Sequence, residues 1–399
     1  MTSYRIGDAI IGKSDPGFNE LLGSAYKSRE RPVCLCRPCG IGMYVVCVEG
    51  RFHIKRMPNT GSDHDPACGS YEPPGELSGL GPVIGSAIIE NPELGTTALK
   101  LDFSLSKSSG RAAPVPGDVA TDSVRTDGNK LTLRALLHYL WEQAGFQKWS
   151  PSMKGKRNWG VIRKYLLLAA EHKHTKGSKL AEVLYVPEPF AVERKDAIAQ
   201  RRVAQMSRVA EAPGHTGPRR LMLLIGEVKE ISASRHGHKL VIKHLPDFHF
   251  MMAGDVHKRL GMRFDMELSL WDAIEGAHLL TVFTFGVNRA GVASVEEIGL
   301  MVTTENWTPF ENRADKFLLD ALTRDGRRFL KGMRYNLSAT RPMASAVLTD
   351  TPAPTAMYIH PPGAGDDYAR ALDKLIRESK VASWVWHPDN GDMPTVPGR

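Results

Sequence analysis

No stretch of this chain holds the roughly eighteen or more consecutive apolar residues that a membrane-crossing helix needs, and no basic-then-apolar leader opens it, so a cytoplasmic protein is expected. A phosphate loop, a dinucleotide fingerprint, a nucleophile elbow and a His-Glu-x-x-His helix are all absent, which removes the enzyme classes those motifs serve. Internal repeats and low-complexity tracts are missing too. Cysteine is scarce: the five present are an odd number crowded into the first 68 residues. That distribution suits metal binding in a reducing compartment better than a disulfide framework. Acidic side chains are outnumbered, 44 against 52 basic, leaving a formal net charge of +8 over 399 residues. The surplus is a mild indication of a polyanionic partner. The length accommodates two or three domains with their own cores.

What is present begins with the stretch from Cys34 to Cys68. Cys34 and Cys36 stand at C-x-C spacing, His64 and Cys68 at H-x3-C spacing, and the segment between the pairs reads as a β-hairpin. Two local ligand pairs on two turns supply a tetrahedral zinc site at low entropic cost. Cys34, Cys36, His64 and Cys68 are therefore expected to hold a structural Zn²⁺. Four protein ligands leave no open position for a water, which points away from hydrolysis. Cys39, in the turn after Pro38, is the alternative to Cys36 as second ligand. Cys47 lies within the alternating strand MYVVCVEG and is read as packing, and His53 as an ordinary strand residue between Arg51 and Lys55. The competing reading of the thiols is plain burial or a disulfide.

Along the chain, the sequence predicts an α+β, multidomain protein. Residues 1–105 form a zinc-finger-like module with a short helix over FNELLGSAYKSRER and, after the finger, paired strands near 87–90 and 97–105. Residues 106–128 lack apolar periodicity and read as a linker. Residues 129–211 form a helical basic region: two helices, LTLRALLHYLWEQAGF, stopping at Gly145, and NWGVIRKYLLLAAEH, then a charged surface helix. From Arg219 the apolar period changes to two, so an antiparallel sheet is expected over 219–304, with RFDMELSLW contributing a strand. Residues 305–399 return to helix, hairpin with Pro352 and Pro354 at its turn, helix and a last strand.

Between the two middle helices, Lys148, Lys154, Lys156 and Arg157 interleave with Trp149, and Trp159, Arg163 and Lys164 follow. Cations beside aromatics match a phosphate backbone with unstacked bases, so these eight residues are the expected nucleic-acid contacts, on DNA or RNA. The alternative is a solvated loop whose tryptophans fold back on the core. Glu227-Val-Lys229 is an E-x-K on a strand, a pattern of metal-dependent nucleases, yet no aspartate precedes it as that chemistry demands. His236 and His238 stand at an H-x-H spacing that could bind a metal but read as turn residues, and the group Asp247, His249, Asp255 and His257 has no spacing that singles it out.

The segments CLC, KRMPNTG, SYEPP, ELSGLG, LKLDFSLSK, GKRNWGVIRKYLL and GEVKEI resemble a bacterial family catalogued only as a domain of unknown function, associated with integrative and conjugative elements or plasmids. The resemblance implies a mobile-element setting and carries over Cys34, Cys36, His64 and Cys68. Residues 309–397 resemble a degenerate PD-(D/E)XK, restriction-endonuclease-like domain. Glu311 matches its helix glutamate, but the hairpin positions expected to be acidic read Ala344 and Met357 to His360, and Asp350 sits at the turn. Without converging carboxylates such a copy cannot hold Mg²⁺. The expected function is a non-catalytic nucleic-acid-binding or assembly protein of a bacterial mobile element with a structural zinc, partnered by nucleic acid and by proteins of that element. The alternatives are a metal-dependent nuclease using Glu227 and Lys229, and a protein–protein scaffold docking through the zinc finger.

Overall fold

The computed structural model describes residues 3–48, 50–107, 128–211, 217–235 and 237–399, so the linker expected over 106–128 lies, its ends apart, outside the described residues, as does His236. The chain folds as a mixture of helices and several sheets, the α+β class expected.

The N-terminal module is a five-stranded sheet in the order β2-β1-β3-β4-β5, with β1 at Ser3–Ile6, β2 at Ala9–Gly12, β3 at Val33–Cys34, β4 at Ile41–Val48 and β5 at Arg51–Arg56. One helix, α1 (Phe18–Ser28), lies against it. Tyr4, Ile6, Ile11, Leu22, Ala25, Ile41 and Met43 form its small core together with Cys34 and Cys68. The β1–β2 hairpin was not expected. Its signal is Gly7-Asp8 between Ile6 and Ala9, with Gly7 at φ 58, the conformation a two-residue hairpin turn asks of glycine.

A strap then leaves the module for the C-terminal unit. The Ala344 N–H donates to Leu77 O at 2.8 Å, and the Gly79 N–H to Met333 O at 2.8 Å. Leu77 is buried among Ala344, Val347, Ala356, Tyr358 and Leu372. A Cβ on Gly79 would stand 1.8 Å from the Arg334 carbonyl oxygen, so only glycine passes here.

The middle helices fall at Leu133–Gln143 and Trp159–Ala170, each N-capped by a side chain: Thr132 Oγ1 accepts from the Ala135 N–H, and Asn158 Oδ1 from the Val161 N–H. Short strands tie this region to its neighbours. Lys173–Thr175 pairs parallel with Thr96–Leu99, and Lys148–Trp149 pairs with Phe329–Lys331, so the basic middle shares sheets with both flanking regions.

Residues 219–304 build a closed barrel in place of an open antiparallel sheet. Its strands run Met222–Ser234, Gly237–Ile242, His249–Met252, Ala293–Thr303 and His278–Val287, and the last pairs back to the first. In chain order that ring reads 1-2-3-5-4-1, with strands 3 and 5 parallel and the rest antiparallel. Between strands 3 and 4 lies a 20-residue helix, Gly254–Ala273, kinked at Phe264, where a strand over MELSLW was expected. Val256, Leu260 and Phe264 fit helical spacing and are buried, whereas Met266, which completes the alternating pattern, is 56% exposed. Five strands in this order with a helix after the third are the connectivity of an OB-fold barrel. Phe250 fills it, its ring edge-on to Phe283 at 4.8 Å and to Phe285 at 5.1 Å.

The C-terminal unit runs helix Arg313–Arg324, antiparallel strands Phe329–Lys331, Ala346–Leu348 and Thr355–Ile359, helix Asp366–Ser379, and strand Ala382–Trp386 parallel to the third.

Candidate metal centre

Each ligand pair is held by its own turn. β3 carries Cys34, paired with Tyr4 of β1 and Ile41 of β4, and the chain then turns through Cys36 to Gly40, at φ 67. On the other side of the β4–β5 hairpin, a 3-10 turn at Gly61–Asp63 delivers His64, and the Asp65 carboxylate accepts from the Ala67 N–H at 2.9 Å, bending the chain so that Cys68 returns beside His64. The Glu72 N–H donates to Gly61 O, and a bidentate Arg56–Glu72 ion pair closes the loop at its base.

The result is a compact set of donors. One ligand atom each from Cys34, Cys36, His64 and Cys68 lie within 4.8 Å of one another. Cys34 Sγ and Cys68 Sγ are 3.8 Å apart, Cys36 Sγ and His64 Nδ1 3.3 Å, and Cys68 Sγ and His64 Nδ1 3.8 Å. Two sulfurs bound about 2.3 Å from a common ion at the tetrahedral angle stand about 3.8 Å apart, with S···N edges slightly shorter, so these separations are those a tetrahedral metal ion would require. Cys34, His64 and Cys68 are buried, Cys36 partly so. The Asp65 N–H points at Cys36 Sγ at 3.5 Å and the Ser70 N–H at Cys68 Sγ at 3.4 Å, orienting both sulfurs from outside the cluster.

Electrostatics give the same account. Burial, with the neighbouring sulfurs adding to it, pushes the Cys34 thiol up to about 12, and burial also raises Cys36. Burial, then Arg56, holds His64 below the ordinary histidine value, favouring the neutral ring a metal requires. Three crowded sulfurs resist ionisation unless a cation supplies the compensating charge. Cys39 is exposed and outside the cluster, so the alternative ligand set is not the one assembled.

Lys148, expected on a nucleic-acid surface, instead donates to Gly69 O of the metal loop at 2.8 Å. Arg157 is spent on the carbonyls of Phe146, Asn306 and Lys148. Trp149 is 3% and Trp159 4% exposed, the latter donating to Pro187 O at 2.8 Å, so neither ring is open to a base. Arg163 donates to Val186 O. Lys154, Lys156 and Lys164 alone of the eight lie on the surface as expected. Arginine and tryptophan are here doing what a closed loop needs: guanidinium donors satisfy carbonyls that no helix or strand covers.

Glu227 is buried on the first barrel strand, its carboxylate 2.8 Å from both Lys243 Nζ and His278 Nδ1, while Lys229 is exposed beyond a bulge. No second carboxylate joins it: among the described residues, the grouping of three or more metal-type side chains is the Cys/His cluster. Glu311 is gripped by Arg334 and held at about 2 despite its burial, and Asp350 is paired with Arg327. Ala344 and Met357 are fully buried in the C-terminal core. His238 and His257 stack face to face at 3.4 Å, while Asp247, His249 and Asp255 are exposed and scattered.

No helix among the described residues is long and apolar enough to cross a membrane. No curated protein and no solved structure matches the chain. A family model described as "Protein of unknown function (DUF1173)" matches residues 4–389, nearly the whole length, and the chain belongs to that family.

Proposed function

We propose that this protein is a non-catalytic nucleic-acid-binding or assembly protein of a bacterial mobile element, built around a structural zinc. The observation that carries the nucleic-acid reading is the connectivity of the central barrel. Small barrels with this strand order use the face of strands 2 and 3 and the adjoining loops for oligonucleotides. Here that face presents Lys239, His249 and Met251, with Arg235 at the loop. The net charge of +8 and the exposed Lys154, Lys156 and Lys164 add support. Zinc is favoured over other ions by three sulfurs and one imidazole at tetrahedral separations. The closed ligand set and the pairing of Glu227, Glu311 and Asp350 with cations favour a non-catalytic role, and the C-terminal unit is read as a degenerate nuclease-like domain.

Elemental analysis of purified protein together with a gel-shift panel on single- and double-stranded DNA and RNA tests this. One zinc per chain and a salt-sensitive shift are expected. With Lys148 and Arg157 committed internally, the 148–164 segment can neutralise about three phosphates, so its duplex slope of log K against log salt is limited to on the order of −3. No shift at low salt with zinc present points to the scaffold reading. Mg²⁺- or Mn²⁺-dependent cutting abolished by Glu227→Ala points to the nuclease.

A further inference from the structure

The metal module carries a second concentration of positive charge that the sequence did not single out. Two contiguous depressions, about 320 Å³ and 520 Å³, share Asn19, Arg51 and Phe52 and run between α1 and the edge strand β5. Lys13, Lys27, Arg51 and His53 line them, with Glu20 the one acid. Among the described residues Lys13, Lys27 and Arg51 enter no ion pair, in contrast to Arg56, which β5 commits to Glu72.

The floor between these cations is apolar. Phe52 lies down on α1 where Gly23 leaves room: a Cβ there would meet the Phe52 ring at 2.8 Å. The Tyr26 ring stands 5.4 Å from that of Phe52, and Tyr26 is 47% exposed. Phe18 and Ile54 continue the floor. His53 reports the field in the groove. Burial comes first in holding it below its ordinary value, and the charges acting on it, Lys55, Arg51 and Lys13, are all positive. Basic side chains thus outnumber the single lining acid, Glu20.

We propose that this groove seats a single strand of nucleic acid, its bases against Phe52 and Tyr26 and its phosphates on Lys13, Lys27 and Arg51. The proposal rests on the nucleic-acid reading above and adds the metal module as a contact surface. A single strand fits better than a duplex because the exposed Tyr26 and half-buried Phe52 offer rings on which only an unstacked base can stack. It also gives the metal a task, since the Cys/His cluster fixes the sheet that carries β5.

The test is fluorescence anisotropy of a short labelled oligothymidylate and its RNA counterpart against the full-length, zinc-loaded chain. Three variants are compared: Lys13→Glu with Arg51→Glu, Phe52→Leu, and Lys154→Glu with Lys156→Glu and Lys164→Glu. The groove double variant is expected to weaken binding tenfold or more and to flatten the single-strand salt slope by about 1.4, two contacts' worth. Phe52→Leu is expected to weaken it about fivefold or more with the slope unchanged, as loss of a stacking partner does. The loop triple variant is expected to change affinity less than the groove double. Zinc content and melting temperature are measured for each; should Phe52→Leu fail to fold, the exposed charge variants decide. Wild-type affinity in the groove double variant overturns the groove and leaves the nucleic-acid reading standing. Equal affinity for duplex, or for inorganic polyphosphate, overturns the single-strand assignment. Absence of binding to any nucleic acid by the wild type removes the underlying reading, and the groove with it.

Discussion

The metal module and the central barrel solve the same problem with different means. The barrel closes five strands on themselves and fills the space with Phe250, Phe283, Phe285, Leu240, Ile242 and Leu300, each essentially unexposed. The module has only a handful of buried aliphatic and aromatic residues, and two of the nine members of its core are the thiols Cys34 and Cys68. Burial of one large apolar side chain contributes about 1.5–3 kcal/mol, so the barrel's interior suffices where the module's does not. What the module lacks in apolar area, a cation held by Cys34, Cys36, His64 and Cys68 would supply by cross-linking four points of the chain.

The sharpest way to break that contrast is to remove the metal. Cys34→Ser, or treatment with a strong chelator, is expected to unfold the module, because structural zinc in small modules contributes on the order of 10 kcal/mol of apparent binding free energy. Limited proteolysis then cuts within residues 1–72, while the barrel remains resistant. Equal resistance of both regions after metal loss would show that the module's core stands alone. The complementary experiment is Phe283→Ala, expected to cost about 3–5 kcal/mol and to lower the melting temperature with metal content unchanged. Between the two in position, though smaller in effect, is the strap. Gly79→Ala forces a methyl group into the Arg334 carbonyl, and overpacking of this kind costs about 1–3 kcal/mol. Because the strap leads from the metal loop to Leu77 in the C-terminal core, this variant should loosen both regions together, read as increased hydrogen exchange in each.

The same contrast explains what could be read from the sequence. The ligand cluster was legible because each pair is local and the hairpin between them has an alternating pattern, so no long-range knowledge was needed. The helices at 133–143 and 159–170 and the C-terminal helix-hairpin-helix-strand order were legible for the same reason. Barrel closure was not, since it depends on Met222–Ser234 meeting His278–Val287 some fifty residues later. The helix at Gly254–Ala273 was hidden by Met266, Leu268 and Leu270, which alternate like a strand. The placement of Lys148, Trp149, Arg157, Trp159 and Arg163 was not legible for a different reason. A basic, aromatic loop looks alike whether its cations face phosphates or its own carbonyls, and Arg157 and Lys148 took the second course.

A pH-dependent effect is expected where module and middle region meet, and it tests whether their contact is passive. Glu142 is buried in the first middle helix, its Oε2 accepting from the Tyr335 hydroxyl at 2.9 Å. Burial, reinforced by Glu72 of the metal loop's base, raises its carboxyl to about 8, against the opposing pull of the Tyr335 hydrogen bond, Arg56 and Lys148. An unfolded chain releases that proton near pH 4.5, the ordinary glutamate value, whereas the folded one keeps it until about 8. Folded protein thus binds the extra proton between those limits, and stability falls as pH rises through them. Glu142→Gln keeps an acceptor for Tyr335 but has no proton to lose. The variant should match the wild type in chemical denaturation near pH 4 and exceed it at pH 8. A wild type whose stability is flat across that window, or a variant that follows it in parallel, would mean that Glu142 ionises freely and that Glu72 and the metal loop exert no electrostatic hold on the middle helix.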